Sequence, residues 1–152
     1  MTGVDQPTEG RFEGTEHRYP LRVYFEDTDL SGVVYHANYL RFMERARSDM
    51  LRLVGVDQRG AMAAGEGAYA VARMNIRFLA PARLDDTLLV VSRLLKIHAA
   101  HVVIHQAVRR DGVILAEAEV VAALVAPDGR PRRQPADWTR RYRKAMSGEP
   151  VA

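Results

Sequence analysis

The sequence contains no cysteine among its 152 residues. This absence excludes a disulfide framework, a zinc site built from thiolates and a cysteine nucleophile. Long apolar runs are missing as well, because no stretch approaches the roughly 18 consecutive apolar residues that a membrane-spanning helix requires. The first 18 residues lack the apolar core of a secretory signal. We therefore expect a cytoplasmic protein.

The composition is that of an ordinary globular domain, with 47% hydrophobic and 27% charged residues. A chain of this length favours a single domain with a sizeable core. Its first residues are rich in Gly, Pro, Thr and Glu, a composition that cannot bury much apolar surface. We predict a disordered leader over residues 1–16, a folded domain over 17–129, and a basic helix and tail over 130–152.

Positive charge is concentrated near the C-terminus. Residues 130–144 hold seven basic residues and one acid, a local charge of +6, whereas the whole chain carries +3. A nucleic-acid-binding domain more often spreads its basic residues over a folded face, so we expect no nucleic-acid partner. Three explanations of this segment stay open: a solvated helix, contact with a phosphate-bearing or acidic partner, and attraction to an anionic membrane surface.

One long amphipathic helix is predicted after residue 36. Apolar residues recur there at spacings of three and four, which is the period of one helix face. A glycine follows at position 55, where a left-handed helix cap is expected. About 18 helical residues would span roughly 27 Å, long enough to cross a small sheet. The periodic residues are Tyr39, Met43, Ala46, Met50 and Leu53.

The remaining pattern predicts strands. A first strand is expected over residues 17–25 and, after the helix, the apolar period changes to two. In the next strand we expect Ala72, Met74, Ile76 and Phe78 to form one buried face. Because no helix separates the later strands, the sheet should be antiparallel and the fold α+β. The four later strands are predicted over residues 70–81, 87–97, 101–110 and 114–126, and Pro135 should open a short terminal helix.

The loop before the long helix carries two candidate catalytic acids, Asp27 and Asp29. Free N–H groups at a helix N-terminus stabilise negative charge, including the oxyanion formed in acyl transfer. A carboxylate placed beside them could attack an acyl carbon or activate a water. An acid near a helix start is more often a helix cap or a partner of the helix dipole. The residues alone leave both explanations open.

A resemblance to a known family is carried by three segments. Residues 23–52 read VYFEDTDLSGVVYHANYLRFMERARSDMLR, which resembles the signature of the 4-hydroxybenzoyl-CoA thioesterase family. Within that family, the segment is most similar to the acyl-CoA thioesterases encoded with the bacterial Tol-Pal envelope system. Residues 73–90 resemble the family's second and third strands, and residues 116–135 resemble its last strand and exit. The likeness covers about residues 18–138.

The resemblance implies a hotdog fold, in which an antiparallel sheet wraps around one long helix. It also implies that Asp29, the second aspartate of the D-x-D pair, is catalytic. The main-chain N–H of His36 is expected to polarise the thioester carbonyl, and Gly32 would give the loop its tight path. Asp27 is expected to hold the loop. Whether Asp29 acts as nucleophile or general base stays open.

The expected reaction is hydrolysis of an acyl-CoA thioester to a free acid and CoA, without metal or organic cofactor. Tyr35, Asn38 and Tyr39 are expected to shape the acyl or thiol pocket. The alternative is a non-catalytic hotdog protein that binds acyl-CoA or acyl carrier protein.

The expected partners follow from the same resemblance. Hotdog relatives pair two protomers and often double again, so we expect a homo-oligomer, a dimer at least and a homotetramer in the larger case. The basic segment also suits two further partners, an acyl carrier protein and the surface of a membrane.

Overall fold

The computed structural model describes residues 5–151 of the chain. Its longest helix, α1, spans Asn38–Val54. Four of the five residues of the predicted apolar face are buried, namely Tyr39, Met43, Ala46 and Met50, and Leu53 is half-buried. Gly55 ends the helix with a φ of 91°, a left-handed conformation that only glycine adopts without strain. The predicted helix and its end are confirmed.

The sheet has six strands in the order β1-β2-β4-β5-β6-β3, and every neighbouring pair is antiparallel. Tight turns make this order possible: between β5 and β6, Asp111 and Gly112 both have positive φ, as the Asp-Gly signal predicts. The strands are β1 Arg11–Glu13, β2 Glu16–Arg22, β3 Ala68–Phe78, β4 Thr87–Ile97, β5 His101–Arg110 and β6 Val113–Val125.

Helix α1 packs against β2, β4 and β5. The side chains between the helix and the sheet form two apolar clusters, one along the N-terminal half of α1 and one along its C-terminal half. A long helix covered on one side by an antiparallel sheet is the hotdog arrangement, and the predicted α+β hotdog fold is confirmed.

Two shorter helices complete the fold, α2 over Gln58–Ala63 and α3 over Ala136–Met146. Helix α3 lies against β4 and α1. Its Tyr142 is completely buried and its hydroxyl lies 2.7 Å from that of Tyr69. The basic C-terminal segment is therefore docked onto the domain. No helix within residues 5–151 is long and apolar enough to cross a membrane.

The N-terminal segment corrects the predicted leader. Residues 11–22 form the β1–β2 hairpin, which turns at Gly14 with a φ of 59°. The N–H of Gly10 donates to the carboxylate of Asp49 at 3.0 Å, and Phe12 packs against the apolar core. Disorder is therefore wrong for residues 10–16, because one apolar side chain and one turn anchor a segment of otherwise polar composition. Residues 1–4 lie outside the described part of the chain.

Strand β3 is less buried than its alternation predicts. Met74 and Ile76 pack against the core but are only half-buried, and Phe78 is 45% exposed. The reason is topological: β3 is an edge strand that pairs only with β6 among the described residues. An alternating pattern reports which residues share a face, but it does not report what covers that face.

Candidate active site

Asp29 lies in the loop between β2 and α1, where its side chain is exposed. The loop makes a tight turn at this residue. The N–H of Asp29 donates to the carbonyl of Val33 at 2.8 Å, and the N–H of Gly32 donates to the carbonyl of Asp29 at 3.2 Å. Gly32 has a φ of 81°, which a residue with a side chain rarely adopts. The turn therefore holds Asp29 at a fixed place outside the core.

The carboxylate of Asp29 is held as an anion by Ser31. One carboxylate oxygen, Oδ1, accepts the Ser31 hydroxyl at 2.6 Å and the Ser31 backbone N–H at 2.8 Å. These bonds, the hydroxyl first, lower the pKa of Asp29 below its ordinary value. Asp29 is therefore ionised at neutral pH.

Asp27 is buried, with 5% of its surface exposed. Its Oδ2 accepts the backbone N–H of Tyr24 at 2.8 Å, and its Oδ1 accepts the side-chain amide of Asn38 at 2.6 Å. Its carbonyl also accepts the N–H of Tyr35 at 3.0 Å. Asp27 thus ties the start of the loop to the first residue of α1, which is the geometry of a loop-holding residue.

The backbone N–H groups at the start of α1 fall into two pairs, of which only the second has an acceptor in the described chain. Asn38 donates to the carbonyl of Tyr35, and Tyr39 donates to the carbonyl of His36. The preceding N–H groups, those of His36 and Ala37, donate to no acceptor within residues 5–151. They lie at the positive end of the helix dipole. Two such donors suit an oxygen on which negative charge develops.

Aromatic side chains surround this helix start. The ring of His36 lies 4.7 Å from that of Tyr35 and 5.9 Å from that of Phe78, measured between centroids. Phe78 also contacts Tyr39 at 5.7 Å, and so links the end of β3 to the helix. The Tyr39 ring is buried, and its hydroxyl accepts the backbone N–H of Ala82 at 2.9 Å.

The predicted site residues therefore divide into two groups. Asp29, Tyr35 and His36 are exposed on the loop and at the helix start. Asn38 and Tyr39 are buried behind them and hydrogen-bonded to the protein itself. These contacts support a positioning role for Asn38 and Tyr39, while their direct contact with a substrate stays a prediction without structural support.

Two residues of the site were missed from the sequence, Ser31 and Phe78. An aspartate followed two residues later by serine is a known turn signal, because the aspartate side chain accepts from backbone two residues on. That signal could have identified Ser31. The alternation of its strand predicts that Phe78 lies in the core, and nothing in the local sequence indicates that it meets His36.

Comparison with known proteins gives the family. Residues 31–123 match the model of the thioesterase superfamily, beginning two residues after Asp29. The chain is 43% identical over 114 residues to the acyl-CoA thioester hydrolase YbgC of Escherichia coli, which covers 74% of this chain and 84% of the relative. It is 38% identical to the acyl-CoA thioesterase YbgC of Haemophilus influenzae, over 70% of this chain and 79% of the relative.

Solved structures agree with the sequence comparison. A probable thioesterase from Bartonella henselae superposes with a TM-score of 0.75 at 38% identity, covering 79% of this chain and 99% of the other. A thioesterase from Thermus thermophilus, solved with coenzyme A and zinc, gives a TM-score of 0.74 at 28% identity, with coverage of 89% and 97%. The chain therefore belongs to the thioesterase superfamily and is a thioester hydrolase.

Proposed function

We propose that this protein hydrolyses acyl-CoA thioesters to free acids and CoA, with Asp29 as the nucleophile or general base. The observation that carries the proposal is that a negatively charged carboxylate and positively polarised backbone N–H groups lie on the same loop and the helix start that follows it. An exposed carboxylate, held ionised by Ser31, precedes a helix start whose N–H groups at His36 and Ala37 have no acceptor in the described chain. The substrates named for the YbgC relatives support acyl-CoA as the thioester.

Each group has a definite role in the reaction. The thioester carbonyl oxygen accepts the N–H of His36, which stabilises the negative charge that develops there. As a nucleophile, Asp29 attacks the acyl carbon, expels CoA thiolate and leaves a mixed anhydride that water then hydrolyses. As a base, Asp29 removes a proton from a water that attacks the same carbon, and the carbon–sulfur bond then breaks to release CoA thiolate and the free acid. Asn38 and Tyr39 act by fixing the loop.

Thiol release from a panel of CoA thioesters tests the function directly. The panel includes short aliphatic, long aliphatic and aromatic acyl groups. We expect time-dependent thiol release from at least one member. Binding of acyl-CoA without release of thiol from any member would contradict the hydrolase and support the non-catalytic binding protein.

Ser31→Ala should move the acid limb of the pH–rate profile to higher pH. Asp29 must be ionised to react, and the lowered pKa keeps it ionised further into the acid range than an ordinary carboxyl. Removing the hydroxyl, the largest cause of that shift, raises the pKa of Asp29, so activity is lost sooner as pH falls. Initial rates of thioester hydrolysis at a series of pH values measure the limb.

Ser147→Ala is the matched control, because the Ser147 hydroxyl donates to the carbonyl of Lys144 at the end of α3. An acid limb that moves equally in both variants, or in neither, would contradict the role given to Ser31.

We propose that the protein is a homo-oligomer assembled through β3. The outer edge of β3 has no strand partner within residues 5–151, although the strand is 11 residues long. Val71 and Phe78 are exposed on it. A long unpaired edge with apolar side chains is a template for pairing with a second chain. A second copy of β3 would satisfy this edge and bring a second loop site close to the first.

Light scattering at micromolar concentration is expected to report at least twice the 17.0 kDa of one chain, and four times that mass for a tetramer. Val71→Lys should shift the protein towards the monomer, because it places a charge on an exposed side chain of the pairing strand. Val113→Lys, at an exposed apolar residue of the β5–β6 hairpin, is the control and should leave the mass unchanged. A wild-type mass of 17.0 kDa, or an equal mass for the β3 variant and the wild type, would contradict assembly through this edge.

The basic helix α3 lies at the C-terminal end of α1, where Arg141 donates to the carbonyl of Val54. The catalytic loop precedes the other end, and 17 helical residues separate the two by about 25 Å. We propose that α3 attracts an acidic acyl carrier protein or an anionic membrane surface and takes no part in the chemical step. We also propose that the protein works in the cytoplasm, where a CoA thioesterase meets its substrate. The resemblance of residues 23–52 supports a further proposal, that the protein is associated with the Tol-Pal system.

A further inference from the structure

The connection between β3 and β4 pairs with the catalytic loop. In the loop, Val34 donates its N–H to the carbonyl of Ala82 at 2.8 Å, and Leu84 of the connection donates its N–H to the carbonyl of Gly32 at 3.3 Å. The turn of the loop therefore rests on the backbone of residues 81–86, which we call the supporting segment.

One side chain joins the two ends of the supporting segment. Arg110, the last residue of β5, donates from a single guanidinium nitrogen, Nη1, to the carbonyl of Pro81 at 3.1 Å. The same nitrogen donates to Oδ2 of Asp86 at 2.7 Å. Both hydrogen bonds of this side chain within residues 5–151 therefore go to the segment, one to its first residue and one to its last.

Asp86 is the charged end of this link. Its Oδ2 also accepts the backbone N–H of Arg83 at 2.8 Å, in the middle of the segment. Burial acts against the charge of Asp86, but the hydrogen bonds from Arg83 and Arg110 outweigh it and lower the pKa of this carboxyl. The bond to Arg110 thus joins two ions, and such bonds are roughly twice as strong as those between neutral groups.

The supporting segment has other anchors, which remain when Arg110 is replaced. The N–H of Ala82 donates to the hydroxyl of Tyr39, and the backbone of Val23 forms hydrogen bonds with the last two residues of the segment. Loss of the arginine should therefore loosen the segment without unfolding the domain.

We propose that Arg110 is a positioning residue of the hydrolase, which holds Asp29 in place through the supporting segment. Its two hydrogen bonds set the spacing of Pro81 and Asp86, and the loop turn rests on the backbone between them. Misplacing a reacting group by about 1 Å can cost about 10²-fold in rate. The inference rests on the proposed role of Asp29 in hydrolysis.

Arg110→Met should lower kcat for acyl-CoA hydrolysis by about tenfold or more and leave KM within about twofold of the wild type, because the arginine fixes the loop and binds no substrate. Arg109→Met is the matched control. Arg109 is the preceding residue of β5, is also half-buried, and its Nε has no hydrogen-bond partner in the described chain. Equal kcat values for the two variants would overturn the proposal.

Arg110→Lys should restore most of the kcat lost in Arg110→Met. Arginine and lysine are not interchangeable where two guanidinium nitrogens bind one partner. Here one nitrogen makes both bonds, and a lysine ammonium group carries three donors. A lysine variant as slow as the methionine variant would show that the link between the ends of the segment is not what the arginine supplies, and would overturn the proposal.

Asp86→Leu keeps the test decisive if Arg110→Met does not fold. Leucine is similar in size to aspartate and removes the acceptor of Arg110, so kcat should again fall with little change in KM. The double variant should be no slower than the slower single variant, because residues that act through one contact are not additive. A normal kcat in Asp86→Leu, or losses that multiply in the double variant, would overturn the proposal.

Amide hydrogen exchange followed by NMR separates this inference from the proposed hydrolysis, because it requires no turnover. The N–H groups of Val34 and Leu84, which join the loop to the segment, should exchange about tenfold faster or more in Arg110→Met and at the wild-type rate in Arg109→Met. A wild type that releases no thiol would refute hydrolysis at Asp29. Unchanged exchange in Arg110→Met would instead refute the link between the arginine and the loop.

Discussion

Replacement of Asp29 by asparagine is expected to lower kcat for acyl-CoA hydrolysis by at least about 10²–10⁴-fold. That range is the usual contribution of a positioned general base, and the loss of a nucleophile can exceed it. Asparagine removes the negative charge that both mechanisms require. Its side-chain oxygen can still accept the Ser31 N–H that Asp29 accepts at 2.8 Å, so the loop should keep its shape and acyl-CoA binding should survive.

Asp128→Asn is a closely matched control. Asp128 is also exposed, and its Oδ1 also accepts the backbone N–H of the residue two positions later, Arg130, at 3.0 Å. The two substitutions therefore make the same chemical change in the same kind of turn. Steady-state rates with one good substrate compare them. A near-normal kcat for Asp29→Asn, or an equal loss in both variants, would show that the catalytic assignment is wrong.

Two further measurements separate the roles within the site. His36→Ala should be mild, because the proposed donor is a backbone N–H that the substitution keeps. Turnover in ¹⁸O-labelled water followed by mass spectrometry of the loop peptide separates the two mechanisms. Label in the Asp29 carboxylate requires the mixed anhydride and therefore a nucleophile, whereas a general base acquires none.

Much of the fold followed from periodic patterns, because each pattern reports a local geometry. The periodic spacing of five residues from Tyr39 to Leu53 predicts one buried helix face, and the structure buries all of them except Leu53, which is half-buried. The β1–β2 hairpin was missed for the opposite reason. Its anchors are a contact from Gly10 to Asp49, 39 residues away, and the packing of a single phenylalanine, and neither produces a repeating signal.

The same difference between local patterns and contacts of distant residues applies to the site. Asp29 and the backbone of His36 were predicted because a loop acid before a helix, together with a family resemblance, identifies positions along the chain. Phe78 was not singled out, because its contact with His36 joins residues that are 42 positions apart in the sequence. The pairing of Asp27 with Asn38 was also missed, because sequence spacing does not reveal which polar groups meet inside a loop.

That buried pair gives the largest expected effect on stability. Asn38→Asp should lower the free energy of unfolding by about 2–4 kcal/mol, because it replaces the donor amide with a second carboxylate against Asp27, where the heavy-atom distance is 2.6 Å. A negative charge in the first turn of α1 offsets this by less than about 1 kcal/mol. For a chain of this length the expected fall in Tm is roughly 5–12 °C, measured by circular dichroism.

The exchanged pair, Asp27→Asn with Asn38→Asp, should restore most of that stability. The new side-chain oxygen at position 27 can accept the N–H of Tyr24, which Asp27 accepts at 2.8 Å, while its amide donates to the carboxylate at position 38. Hydrolytic activity should fall in Asn38→Asp and return in the exchanged pair, since this pair of residues fixes the loop that carries Asp29. If the exchanged variant is no more stable than Asn38→Asp alone, the contact between the two side chains is not what holds the loop.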